Sequence, residues 1–208
     1  MQTTALDENW WKSWNFIYRR FLSKDIEYFD IRKDDKILDL GCGIGFHLTK
    51  FKQQGYSNVI GCDVNKNLLE ECHKKGFKVV YGDMRRLNFK SNSFDVVFSY
   101  GIFHHIKEFG LALKEVNRVL KAGGYFCFID IKPSVHRRIL DFITFKLPIS
   151  HPLKVRKNML LEEKEMYDYF LMNHNRFMEL FMKNFKIVWH KKGLCMDIIK
   201  ALPQKSVR

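Results

Sequence analysis

A chain of 208 residues, 46% hydrophobic and 28% charged, suits a single domain with a full core, and no run in it approaches the roughly 20 uninterrupted apolar residues of a membrane span. Its five cysteines are odd in number and form no CxxC pair, which argues against a disulfide framework or a zinc site and for a reducing cytoplasm. The formal net charge of +13 favours an acidic partner (nucleic acid, a phosphorylated substrate or an anionic membrane surface), the alternative being a basic but inert surface.

In chain order, the first residues lack the basic-then-apolar order of a signal peptide. Trp10, Trp14, Ile17 and Phe21 then fall at helical spacing, with Asp7 placed to cap them. Apolar runs at 36–40, 58–62, 77–81, 94–99 and 125–131 read as strands. Between them, 46–54 and 66–75 read as helices ended by Gly55 and Gly76. Phe109, Ala112, Leu113, Val116, Val119 and Leu120 line one face of a helix that stops at Gly123-Gly124. This alternation implies a parallel sheet with helices on both faces. After Ile131 a mixed, partly helical segment runs to about residue 183. Strands at 186–190 and 195–202, around Lys191-Lys192-Gly193, close the chain as an antiparallel hairpin. The expectation is one α/β domain over residues 1–208, with seven strands.

The strongest chemical signal is Asp39-Leu40-Gly41-Cys42-Gly43-Ile44-Gly45, where a strand runs into three alternating glycines and then a helix. Glycines let backbone approach a ligand, and a helix N-terminus offers free N–H groups. A dinucleotide fingerprint needs a further glycine where Phe46 stands, and no Gly-Lys-Ser/Thr follows for a phosphate loop. Asp63, in Gly61-Cys62-Asp63-Val64, ends the second strand, where a carboxylate can accept both hydroxyls of a ribose. Gly82-Asp83-Met84 follows the third strand, and Ser99-Tyr100-Gly101-Ile102-Phe103-His104-His105 ends the fourth. Each acid has a plainer reading as well: Asp39 as a solvated loop acid or helix cap, Asp63 as a helix cap, Asp83 as a turn residue.

Residues 39–45 resemble motif I of the class I S-adenosylmethionine (SAM)-dependent methyltransferases, of the methyltransferase type 11-like kind. Similar order continues over about residues 36–131. The resemblance implies a Rossmann-like, mostly parallel sheet with SAM as cofactor. It implies that the loop of Gly41, Cys42, Gly43 and Gly45 wraps the methionine part of SAM and that Asp39 helps hold its amino group. It further implies that Asp63 binds the ribose, that Val64 and Met84 lie along adenine, and that Asp83 accepts from the adenine amino group. Tyr100 and His105 would pass the methyl-donor end. The segment after strand four lacks the Asn-Pro-Pro-Tyr type motif of enzymes that methylate exocyclic amino groups of bases.

A hydroxyl or carbon-acid acceptor would need a base, and a carboxylate would not. His104 and His105 are the candidates, with His136 and Tyr18 behind them, since imidazole titrates near neutral pH; a structural role is the competing reading of the paired histidines. No metal cluster is visible in the sequence. The acceptor is expected against an N-terminal helical lid (residues 1–30), which brings Trp11 and Tyr18, and a helical insertion (132–183), which brings Arg137 and Arg138. Residues 132–160 hold seven Lys/Arg against one acid, Asp141. That composition suits an anionic or lipid-like small molecule or a membrane surface, and equally a solvated helical cap. Three functions follow: a small-molecule methyltransferase acting at oxygen or carbon, an RNA methyltransferase of the tRNA wobble-uridine type, and a non-catalytic binding partner with the same fold.

Overall fold

The computed structural model describes residues 25–146 and 164–205; the helix expected around Trp10 to Phe21, with Trp11 and Tyr18, lies outside them. Five parallel strands, β1 (Ile37–Leu40), β2 (Val59–Asp63), β3 (Val79–Tyr81), β4 (Phe94–Tyr100) and β5 (Leu120–Ile131), make the body of one sheet. The hairpin β6 (Phe185–Lys192) and β7 (Met196–Pro203) completes it in the order β3-β2-β1-β4-β5-β7-β6. β7 runs antiparallel to both β5 and β6. The helices are α1 (Phe46–Gln53), α2 (Lys66–Lys74), α3 (Phe109–Val119), α4 (Val135–Lys146), α5 (Lys164–Met172) and α6 (His174–Asn184).

The central strands are apolar on consecutive residues because both their faces are covered. On one face Val97, Phe126 and Phe128 meet Phe109 of α3, Phe170 of α5 and Phe177 and Phe181 of α6. Their rings pack edge-on and stacked, with Phe128 and Phe177 at 5.3 Å and Phe109 and Phe177 at 5.5 Å. On the other face Val96, Phe98, Cys127 and Ile129 meet Phe51 of α1 and Phe29. Phe29 belongs to a short 3-10 turn (Ile26–Phe29) capped by Asp25. Parallel strands end on one edge, and the connections diverge in opposite directions from β1 and β4. The carboxyl ends of those two strands therefore flank a crevice, the place where open α/β sheets bind ligands.

Three boundaries differ from the sequence expectation. Helix α3 ends at Val119, and Leu120 is already extended (φ −70°, ψ 140°), so β5 begins five residues before Tyr125. The glycines thought to stop the helix lie inside β5. There β5 pairs with β4 through Phe94↔Leu120 and then Val96↔Tyr125, a bulge that crowds Gly124 against β4. A Cβ on Gly124 would stand 2.6 Å from the Asp95 carbonyl oxygen. Strand β3 starts at Val79, because Phe77 packs instead against Leu69 and Cys72. The hairpin turn is displaced, because Lys191 and Lys192 still pair, with Ile198 and Asp197, and Gly193 N–H donates to Met196 O at 2.9 Å.

Gly124→Ala is expected to lower stability by about 1–3 kcal/mol, as overpacking against backbone does. Urea unfolding of the variant checks this, and an unchanged midpoint would show that the bulge relaxes freely.

Candidate functional site

The loop after β1 is built by three glycines with positive φ, Gly41 (+75°), Gly43 (+52°) and Gly45 (+81°). Packing requires two of them to lack a side chain. A Cβ on Gly41 would stand 2.6 Å from the Ile102 side chain, and one on Gly45 would stand 2.9 Å from Cys72 Sγ. Gly43 differs, since nothing lies within 4 Å of its Cβ position, so its backbone faces open space. The loop is pinned to β2: Gly41 and Cys42 N–H donate to Cys62 O at 2.8 and 3.1 Å, and Gly43 N–H donates to Asp63 Oδ2 at 2.9 Å. The other oxygen of Asp63 accepts from Asn65 N–H at 2.9 Å. Asn65, not Asp63, caps α2, through Asn67 and Leu68 N–H.

Asp39 sits on β1 directly behind this loop. It is buried, and its Oδ2 has no hydrogen-bond partner. Burial pushes its carboxyl up to about 7, a rise that His47 partly opposes. His47 in turn is held by buried Asp25, with Nε2 to Oδ2 at 3.0 Å, and Lys50 pairs with the same carboxylate. The His47 ring lies 4.9 Å from that of Tyr100, whose hydroxyl donates to Met196 Sδ at 3.6 Å.

The remaining expected residues divide by what they face. Val64, beyond the end of β2, is apolar yet 55% exposed, whereas Met84 is buried beside Leu87. Both oxygens of Asp83 accept from the Arg85 guanidinium, which holds the carboxyl below its ordinary range, and Arg85 also reaches Glu108 at 3.2 Å. Cys42 turns its thiol inward under the loop, 2.8 Å from where a Cβ on Gly61 would stand. The free thiol of Cys72, hydrogen-bonded to that of Cys42, donates to Gly43 O at 3.3 Å.

The two histidines after β4 share the 3-10 turn Phe103–His105 but have different partners. His105 bonds to the Gly101 backbone, and burial, with His104 alongside, pushes its imidazole down to about 3, so it stays neutral. His104 Nδ1 lies 2.6 Å from Oδ1 of Asp130, which is fully buried. Burial alone would raise the Asp130 carboxyl; the His104 ring, its hydrogen bond and the Ile131 amide outweigh that and hold it below its ordinary range. Asp130 escaped the sequence reading. Its signal was a lone acid in the apolar run Phe126-Cys127-Phe128-Ile129-Asp130-Ile131, since a buried charge requires a partner.

Arg137 and Arg138, paired in the sequence reading, part company. Arg137 is buried, donating to Tyr167 Oη at 3.1 Å and to Cys195 O at 3.0 Å, so it fastens α4 to α5 and to the hairpin. Arg138 and His136 are exposed. Among the described residues, no group of three or more His, Cys, Asp or Glu is placed to hold a metal, and no helix is long and apolar enough to cross a membrane.

Residues 38–128, the stretch that carries the loop and the strand ends, match the family described as a methyltransferase domain. The chain is similar to a demethylmenaquinone methyltransferase of Staphylococcus aureus, at 37% identity over 145 residues, 64% of this chain and 58% of that protein. It is also similar to a malonyl-acyl-carrier protein O-methyltransferase of Legionella pneumophila, at 30% over 110 residues, 50% of this chain and 39% of that protein. It thus spans well under two thirds of either relative. A Pyrococcus horikoshii protein of solved structure shares the fold with a TM-score of 0.69 at 20% identity, over 92% of this chain and 91% of that one. Residues 38–128 are thus similar to a methyltransferase domain, and the chain shares its fold with a solved SAM-dependent methyltransferase of Methanosarcina mazei, with a TM-score of 0.65 at 19% identity over 86% of this chain and 96% of that one.

Asp39 generates a pH test. Its folded value, about 7, lies above the ordinary 3.8, so the folded chain holds a proton that the unfolded chain releases. Stability therefore falls as pH rises through that window. Asp39→Asn removes the penalty, and ligand-free variant is expected to melt above wild type at about pH 8, with the gap closing towards about pH 4. A variant that melts lower at both would show that Asp39 is already stabilised as an anion.

Proposed function

We infer that the chain transfers the methyl group of SAM to a small-molecule acceptor, at oxygen or carbon. The observation that carries this reading is the glycine loop itself. It presents open backbone at Gly43, is tied to the Asp63 carboxylate, and stands in front of a buried Asp39 oxygen without a partner. A buried carboxylate oxygen left unpaired is unfavourable unless a donor or cation reaches it. The ammonium of a methionine moiety is such a group, so the residues present fit SAM.

In this reading Asp39 holds that ammonium, and the loop backbone lines the methionine chain. Each Asp63 oxygen accepts one amide N–H and keeps lone-pair capacity for a ribose hydroxyl. Exposed Val64 gains an apolar partner when adenine covers it, and Met84 supports the ring from below. Asp83 offers the adenine amino group only what Arg85 leaves. SAM supplies, when bound, a methyl group on a sulfonium and hence its own leaving group. The protein's task is to align an acceptor with that methyl and to exclude water.

The acceptor side falls to the segment after β5. Along α4, Val135, Ile139 and Phe142 are 53–67% exposed at helical spacing, beside exposed Arg138. Apolar and basic groups on one helix suit an acceptor with a lipid-like body, and the demethylmenaquinone methyltransferase of S. aureus supports that class.

Calorimetry with SAM and with its demethylated product is expected to give micromolar affinity, about −8 kcal/mol. Asp63→Ala should weaken binding by about 1–3 kcal/mol through lost hydrogen bonds, and Gly43→Val should weaken it further, since its side chain enters the open space at a positive φ. Folded wild-type protein that takes up neither ligand would end this reading.

A further inference from the structure

We propose that His104 is the general base of the methyl transfer and that Asp130 positions it, so that the acceptor is one that gives up a proton, at a hydroxyl or an acidic carbon, and not a carboxylate. The proposal rests on the methyltransferase reading above and adds the class of acceptor.

Asp130 is fully buried near the end of β5. Its Oδ2 accepts from Phe103 N–H at 2.8 Å; its Oδ1 accepts from Ile131 N–H at 2.7 Å and faces His104 Nδ1 at 2.6 Å. One carboxylate thus fixes both the backbone of the turn after β4 and the ring that the turn carries. An ionised carboxylate only accepts, so Nδ1 carries the hydrogen and the neutral ring keeps its lone pair on Nε2. Nε2 has no partner among the described residues, and the side chain is 15% exposed. The turn stands at the crevice, since Ile102, just before it, is the residue on which Gly41 rests.

The ring is surrounded by its own turn, by α5 and by Asp130. From the same turn His105 stacks on His104 with centroids 4.1 Å apart, and it stays neutral. From α5, Tyr167 presents its ring edge at 6.3 Å, while its hydroxyl donates to Asp141 and accepts from Arg137, both on α4. Arg137 is therefore held beyond the tyrosine, and among the described residues the charged group in contact with His104 is the Asp130 anion. The imidazolium formed when Nε2 takes a proton is paired at once. In the transfer, the bond from sulfur to the methyl carbon breaks with its electron pair remaining on sulfur, and the bond from acceptor to methyl carbon forms. The proton that the acceptor loses goes to His104 Nε2 and from there to water. A carboxylate acceptor is already a nucleophile and would leave this pair without a task.

The experiment compares wild type, His104→Gln and Asp130→Asn, each with S-adenosylhomocysteine affinity measured first. The ring nitrogens of His104 are followed by 15N NMR in the protein bound to S-adenosylhomocysteine. Methyl transfer from radiolabelled SAM is followed against pH with two acceptors: reduced demethylmenaquinone, in which methyl replaces hydrogen, and malonyl-acyl-carrier protein, a carboxylate. The proposal expects the His104 hydrogen on Nδ1 in wild type and transfer to the proton-losing acceptor that rises with pH through one titration. His104→Gln should reduce kcat about 10²-fold with KM little changed, and abolish that titration. Asp130→Asn should lower kcat and move the titration to lower pH, because the anion that favours the imidazolium is gone; a purely structural loss would not move it. Both variants should keep their affinity for S-adenosylhomocysteine. A hydrogen on Nε2 in wild type, an unchanged pH profile in His104→Gln, or transfer to the carboxylate alone overturns the proposal. If neither acceptor turns over, the ring result decides. Loss of S-adenosylhomocysteine binding by wild type would instead strike the methyltransferase reading.

Discussion

The hydrogen bond from the Gly43 amide to the Asp63 carboxylate is the interaction on which the site depends. It joins the end of β1 to the end of β2 and holds the loop with its backbone turned to the crevice. Without it, Gly41 and Cys42 would stay bonded to Cys62, but Gly43, whose positive φ has no packing partner within 4 Å of its Cβ position, would lose its tether to β2. The bond also orients Asp63 before any ligand arrives. An oriented acceptor spares a ligand the ordering that would otherwise weaken binding.

Buried acids organise the rest of the molecule, and each is matched differently. Asp25 is met by His47 and Lys50, and Asp197 by His174, His190 and Lys132, so both are anions tied to cations or imidazoles. Asp130 is met by two amides and His104. Asp39 alone among these four has a buried oxygen with no partner, and it alone is pushed towards neutrality. A domain that leaves one acid unmatched at the end of its central strand keeps a place for a donor from outside.

Much of this was legible in the residues. The apolar strands, the α3 face from Phe109 to Val119 and the terminal hairpin follow from periodicity, which is strong where an element is long and covered. Boundaries were less legible. Gly123-Gly124 signals a stop in one dimension, while in three it allows a bulge against Asp95, a contact set by a strand almost thirty residues away in sequence. The glycine loop and the strand-end acids were visible as motifs. Local sequence could not tell His104 from His105, or Arg137 from Arg138. Their difference arises from Asp130 on β5 and Tyr167 on α5, partners that come together only through the sheet and the helices packed on it.

The central claim is that the crevice between the ends of β1 and β4 is the SAM site. A crystal structure of the protein with S-adenosylhomocysteine tests it most directly. The account predicts the ligand's ribose hydroxyls on Asp63, its amino group within hydrogen-bond distance of Asp39 Oδ2, and its sulfur directed towards the turn that carries His104. Density for the ligand elsewhere, or a ligand in the crevice that leaves Asp39 Oδ2 without a partner, would contradict it.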